Sequence, residues 1–314
     1  MFDIVRYTPE HATAWNQFVA QSKNGTFLFD RRYMDYHADR FADHSLLVME
    51  KGRLYALLPG NDDGRGTWWS HQGLTYGGLV MGNECRAAKV RTVLMELNDY
   101  LSAAGFRHVV YKHVPWIYAR QPSEEDLFAL TNVCRATLRT RDVASVVDLH
   151  SRLPMSTLRR RGIKKAERGG LHVEETTDFA PYWQLLEANL QQRFHARPVH
   201  TLDEISLLHS RFPDAIRLVV VKRGGELLGG TVLYVSGWTV KTQYISANEE
   251  GKHTGAIDCL FDQLLRQSGA AGFRYFDFGT SNLTTNDDLN EPLIFQKEGF
   301  GGRAVCYDSY EWTL

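Results

Sequence analysis

The stretch IFQKEGFGGRAVCYDSYE, residues 294–311, gathers Lys297, Tyr307 and Asp308 close to a run of glycines. Alternation along a strand puts Tyr307 with Ser309 on one face and Asp308 with Tyr310 on the other. A carboxylate enclosed by Phe276, Phe278 and Tyr310 would have the raised pKa of a general base. Asp277 is a second carboxylate in that setting, and it serves equally well as an acceptor for the Thr-Ser-Asn turn that follows it. The closing stretch itself reads as either an edge hairpin or the floor of an active site. On these residues alone both readings stand.

Other groups with chemistry in reach are spread along the chain. Residues 159–168 hold Arg159, Arg160, Arg161, Lys164, Lys165 and Arg168 against a single acid, Glu167. Helical spacing aligns Arg160, Lys164 and Arg168. Such a face is either a solvated linker helix or a contact for phosphate, in tRNA, in a nucleotide-linked precursor or in coenzyme A. No aromatic residue interleaves, so stacking on single-stranded bases is unsupported. His195 and Arg197, in QQRFHARPVH, follow a helical pattern and are candidates for an acceptor cleft. Tyr244, Asp277 and Asn282 complete the candidate substrate contacts. There is no HxH or HExxH spacing, no P-loop and no Gly-x-Ser-x-Gly elbow, so no metal is expected.

The elements that must position these groups come from a duplicated pattern. SAAGFR at 102–107 reappears as SGAAGFR at 268–274. Each copy follows a helical apolar stripe, Val90, Val93, Leu94, Leu97 and Leu101 in one, Ile257, Leu260, Phe261, Leu264 and Leu265 in the other. Each precedes a strand, HVVYKHV or YFDFG, and each glycine suits a left-handed helix cap. Upstream, SLLVMEKGRLYALLP and RLVVVKRGGELLGGTVLY both read strand, tight turn, strand. The matched order implies two related domains, 1–150 and 171–314, joined by a basic linker at 151–170. The expected fold class is α/β with mixed sheets, each domain a mainly antiparallel sheet flanked by helices. A helix from about Asp178 to His195 opens the second half, and the capping box Thr201-Leu-Asp-Glu204 starts another helix.

The totals agree with two domains: 314 residues exceed the usual size of a single core. A net charge of −1 gives no global field toward nucleic acid or an anionic surface, so any such binding must be local. Four scattered cysteines with no CxxC pair point to reduced thiols and a cytoplasmic protein. No signal peptide is expected at MFDIVRYTPEHATAW, and no apolar run approaches the roughly 18–20 residues of a membrane span.

Two helices, an antiparallel meander, a crossover helix and a strand, with a late Gly-Phe, resemble the GNAT acyltransferase domain. The duplicated arrangement is similar to the FemAB-like branch, in which two such domains share one chain. SHQGLTYGGLV (70–80), LRRRGIKKAERGGLHV (158–173) and DFGTSN…LNEPLIFQKEGFGG (277–302) carry that resemblance. It implies transfer of an acyl group to an amine of an amino sugar, amino acid or cell-envelope precursor. The implied co-substrate is acyl-CoA, acetyl-CoA first, and the alternative donor is aminoacyl-tRNA, disfavoured because no long helical arm is present. A non-catalytic binding module is the remaining alternative. The resemblance places pyrophosphate at Gly251, Lys252, His253, Thr254 and Gly255, before the helix that starts at Ile257. It also matches Lys297 to a lysine at the reacting centre of Fem-type enzymes, although Gln296 replaces the phenylalanine beside it. A fixed cation there would stabilise the oxyanion of acyl transfer. Tyr307 and Asp308 are the candidates for handling the proton, and proton loss from the substrate without a protein base is the competing route.

Overall fold

The computed structural model describes residues 2–283 and 288–314. The chain divides into two compact units, Met1–Asp142 with Cys306–Leu314, and Val143–Val305.

The first unit opens with strand β1 (Asp3–Arg6), helix α1 (Ala12–Gln21) and the short α2 (Arg31–Met34). After β2 (Ala42–Asp43) come the hairpin strands β3 (Leu46–Glu50) and β4 (Arg53–Leu58), then β5 (Asn61–Asp62), β6 (Thr67–Trp69) and β7 (Val80–Met81). Helix α3 (Ala87–Ala103) leads to β8 (His108–Lys112), α4 (Glu125–Asn132) and β9 (Thr137–Asp148), within which the chain enters the second unit. One sheet runs β1-β3-β4-β7; in another, β8, β6, β5 and β2 are successive neighbours. The apolar stripe of α3, from Val90 to Leu101, is buried against Trp68, Val109 and Tyr111. Amphipathic spacing at 3.6 residues per turn has therefore found its sheet.

The second unit holds α5 (Thr157–Arg168), β10 (His172–Thr176), α6 (Ala180–Phe194), α7 (Leu202–Arg211) and the meander β11 (Ile216–Arg223), β12 (Glu226–Ser236) and β13 (Thr239–Ala247). The short α8 (Glu249–Thr254) and the long α9 (Ala256–Ala270) then precede β14 (Tyr275–Thr280) and α10 (Glu291–Glu298). The last strand, β15 (Arg303–Thr313), returns the chain to the first unit. The sheet order in this unit is β10-β11-β12-β13-β14-β9. Only the β13–β14 pair is parallel among these, because α9 crosses over between the two strands. Leu260, Phe261, Leu264 and Leu265 of α9 pack on Phe276, Phe278 and Phe300, each burial contributing roughly 1.5–3 kcal/mol. The capping box at the start of α7 is formed, with Glu204 N–H donating to Thr201 Oγ1 at 3.1 Å.

Duplication extends to backbone detail. Phe106 N–H donates to the Leu101 carbonyl and Gly105 N–H to that of Ser102, and Phe273 and Gly272 repeat both bonds onto Ser268 and Gly269. Gly105 and Gly272 adopt φ of 91° and 85°, the left-handed cap expected of them. Both hairpins turn on two residues of positive φ, Lys51–Gly52 and Gly224–Gly225, as a twisted two-residue turn requires. Each also carries an irregularity two residues before its turn, at Val48/Met49 and at Val221/Lys222. Segment 151–170 supplies α5, which lies wholly within the second unit.

Candidate active site

The parallel β13–β14 ladder is short: Thr239 pairs with Tyr275, Val240 with Phe276 and Lys241 with Asp277. Beyond that last pair β14 continues through Gly279 and Thr280, where it pairs with Ala144 of β9. A cavity of about 340 Å³ lies beside these strands, lined by Leu186, Ile245, Ile257, Phe261, Phe278, Leu293 and Phe300, with Arg193, Lys252 and Lys297 as its cations. Lys297, in the last turn of α10, is 5% exposed. Its Nζ donates to the carbonyls of Gly279 at 2.8 Å and Thr280 at 2.7 Å and to Ser281 Oγ at 2.9 Å. All three ammonium protons are thereby directed, which fixes the charge in place. Burial pushes this lysine down to about 8; Asp277 opposes the fall and Lys241 adds to it.

Asp277 is fully buried and accepts the Gly279 N–H at 2.7 Å, across the start of the turn that holds Lys297. Lys241 is also buried, donates to Gln243 Oε1 at 3.0 Å, and is lowered by desolvation against the pull of Asp277. Lys241, Ser281 and Arg193 escaped the sequence reading. Ser281 lies 16 residues from Lys297 along the chain, and Lys241 and Arg193 read as ordinary polar positions on a strand and a helix.

The segment Gly251–Gly255 is not an open glycine loop. Residues 249–254 form α8, Asn248 Oδ1 accepts the Gly251 N–H at 2.7 Å, and Lys252 N–H bonds the Asn248 carbonyl at 3.0 Å. Lys252 pairs with Glu249, His253 stands in the last turn, and Thr254 Oγ1 donates to the Glu250 carbonyl at 2.8 Å. Gly255, at φ 81°, starts α9, and a Cβ there would stand 2.4 Å from the Gly162 carbonyl oxygen. Asp258 in the first turn of α9 pairs with Arg159 at 2.6 Å. A helix start faced by a carbonyl oxygen and carrying a carboxylate is a poor anion cradle. Of the five, Lys252 also lines the cavity.

The remaining candidates lie elsewhere. Asp308 and Tyr307 belong to the first unit. Burial raises the Asp308 carboxyl, but the Arg141 fork, with both bonds at 2.7 Å, and the Tyr310 hydroxyl at 3.1 Å outweigh it and hold it below the usual carboxylate range. Asp308 is thus a paired anion, contrary to the raised pKa expected of a base. Tyr307 shares a hydrogen bond with the Tyr118 hydroxyl at 2.9 Å. His195 occupies the left-handed cap of α6, exposed like Arg197. The Tyr244 hydroxyl meets His200 Nδ1 at 2.6 Å, and Asn282 Oδ1 accepts the Val143 N–H at 2.8 Å. Arg160 and Lys164 stand exposed on α5.

A second buried cluster sits in the first unit. Asp126 accepts from the Tyr111 hydroxyl at 2.6 Å and faces His113 Nδ1 at 3.2 Å. Burial lowers His113, but Asp126 outweighs that and raises it, while His113 and Tyr111 bring the buried Asp126 down.

Residues 155–287 match the family model described as an acetyltransferase (GNAT) domain. No curated protein matches the chain. Among solved structures the chain resembles FemX, at 9% identity with 99% of this chain and 97% of that one covered and a TM-score of 0.71. L-PGS from Bacillus licheniformis is similar at 14% identity, 97% and 91% coverage and a TM-score of 0.60. A tandem GNAT protein from the clavulanic acid biosynthesis pathway aligns at 12% identity, over 100% and 98% of the two chains, with a TM-score of 0.50.

Proposed function

From the premise that this chain has the tandem fold of FemAB-like GNAT acyltransferases, we propose that its second unit moves an acyl group from acyl-CoA to an amine. The observation that carries this reading is the buried Lys297 ammonium on the wall of an apolar cavity. The amine nitrogen bonds to the thioester carbonyl carbon, and the oxygen gains negative charge facing Lys297. Collapse breaks the carbon–sulfur bond and releases coenzyme A thiolate, and the proton lost by the amine neutralises the thiolate. In an apolar enclosure a fixed cation stabilises such an oxyanion far more than it would in water.

The lining supports the acyl-CoA reading of the donor. Leu186, Ile245, Ile257 and Phe261 suit an acyl chain and its pantetheine arm, with Arg193 and Lys252 at hand for phosphate. An aminoacyl ester would bring a second ammonium toward Lys297 among apolar side chains, an unfavourable pairing. The acceptor we propose is the amine of an amino sugar, amino acid or cell-envelope precursor. Four free cysteines fit a reducing compartment such as the cytoplasm.

The test is coenzyme A release, measured with a thiol reagent across acetyl- and longer acyl-CoAs and an amine panel. Acyl-CoA-dependent release that Lys297→Met abolishes supports the reading. Release unaffected by that substitution, or transfer from aminoacyl-tRNA alone, overturns it.

A further inference from the structure

Helix α5 has one buried face and one strongly basic face. Ala166 is buried, and Gly162 packs so closely on α9 that a Cβ there would stand 1.8 Å from Asp258 Oδ2. Arg159, on the packed side, spends its charge on Asp258. Arg160, Arg161, Lys164, Lys165 and Arg168 are all exposed. At about 100° per residue these five fall within an arc of roughly 140°. Glu167, the one acid of the helix, falls at its edge. In a chain of net charge −1, this is a concentrated local field.

Exposed apolar side chains border the same face. Leu158, on the edge beside Lys165, is 53% exposed, and Phe295 of α10 is 66% exposed. Both line one groove of about 360 Å³, together with Pro292. Leu153, also exposed, lies four residues before α5, its carbonyl oxygen 2.8 Å from where a Cβ of Gly301 would lie. Scattered exposed apolar residues are ordinary, but a group of them beside five cations is not. The groove shares Lys252, Ile257 and Gln296 with the Lys297 cavity.

We propose that the basic face of α5 and the Leu153–Leu158–Phe295 lip form a peripheral docking surface for an anionic lipid bilayer. The cations meet acidic headgroups and the lip enters the boundary with the acyl chains, which is how interfacial helices bind. Nucleic acid would engage the cations but would gain nothing from two aliphatic leucines. Among the described residues no helix is long and apolar enough to cross a membrane, and the proposal is of surface docking. Docking would bring the groove beside the Lys297 cavity to the lipid surface. The inference stands on α5 and the lip, whichever acyl group is transferred.

The experiment is co-sedimentation of the full chain with vesicles of phosphatidylglycerol and phosphatidylcholine, against phosphatidylcholine alone. Preference for the anionic vesicles is expected, reduced at least about tenfold by Lys164→Glu with Arg168→Glu. Leu158→Ser with Phe295→Ser should retain binding at about 0.1 M salt but lose it near 0.5 M, where screening leaves the apolar contact to hold alone. These side chains are exposed, and circular dichroism checks that each variant is folded. Equal binding to both vesicle types, or no effect of the charge reversals, overturns the proposal. So does tighter retention on tRNA that the charge reversals weaken and the serine pair does not.

Discussion

Lys297 is a costly residue in its position, and that cost is informative at the scale of single residues. Desolvation opposes its charge, yet three acceptors fix the ammonium on the wall of an apolar cavity, where we propose that acyl transfer uses it. Lys297→Met should lower kcat/KM for coenzyme A release about 100- to 1,000-fold, with the far-ultraviolet circular dichroism unchanged. The sign of the pH dependence follows from the pKa near 8: the group is charged below it and neutral above it. Activity should therefore fall as pH rises through about 8, and Lys297→Arg, charged throughout, should remove that alkaline limb. A wild-type profile flat to pH 10 would contradict the cationic role. Lys297 was singled out because a compact local motif around it resembles that of Fem-type enzymes. The acceptors that hold it were not, since the 279–281 turn meets it only through the fold. Asp308 shows the opposite failure: its aromatic neighbours in sequence were visible, and the Arg141 fork that governs it was not.

Elements held together by local rules were the most readable. Helix caps and two-residue turns use bonds spanning a few residues, so glycine position alone signals them, and the two halves repeat them in register. Helix α8 escaped because two glycines suggest a loop, while Asn248 as cap and Glu249–Glu250 in the first turn build a helix start. Helix α5 escaped as part of a domain because its role depends on Gly162, whose missing side chain permits close approach to α9. That packing yields a prediction for the element. Gly255→Ala places a methyl group against the Gly162 carbonyl at a positive φ, and should cost about 2–4 kcal/mol in urea unfolding. A neutral effect would mean that α5 does not dock on α9 as described.

At the scale of the whole molecule, the compact units do not run as one N-terminal and one C-terminal stretch, because the last strand changes allegiance. Alternation tells which faces of β15 are apolar, but not which strand lies beside it. Ser309 to Thr313 pair with Lys112 to His108 of β8, and Trp312 is buried in the core around α3, its indole donating to Asn98 Oδ1 at 3.1 Å. Residues 306–314 therefore belong with the first unit. We propose accordingly that the functional boundary is a double crossing rather than a single linker. Removing residues 306–314 deletes an indole whose burial alone accounts for about 3–5 kcal/mol, together with one strand of the β8 ladder. Hydrogen exchange should then show amides of α3 losing protection while those of α9, packed on Phe276 and Phe300, keep theirs. The reverse order would restore a simple division of the chain into an N-terminal and a C-terminal half. Retained protection in α9 would also mean that the Lys297 cavity survives the truncation, because Phe261, Phe278 and Phe300 form both the core of that unit and the wall of the cavity.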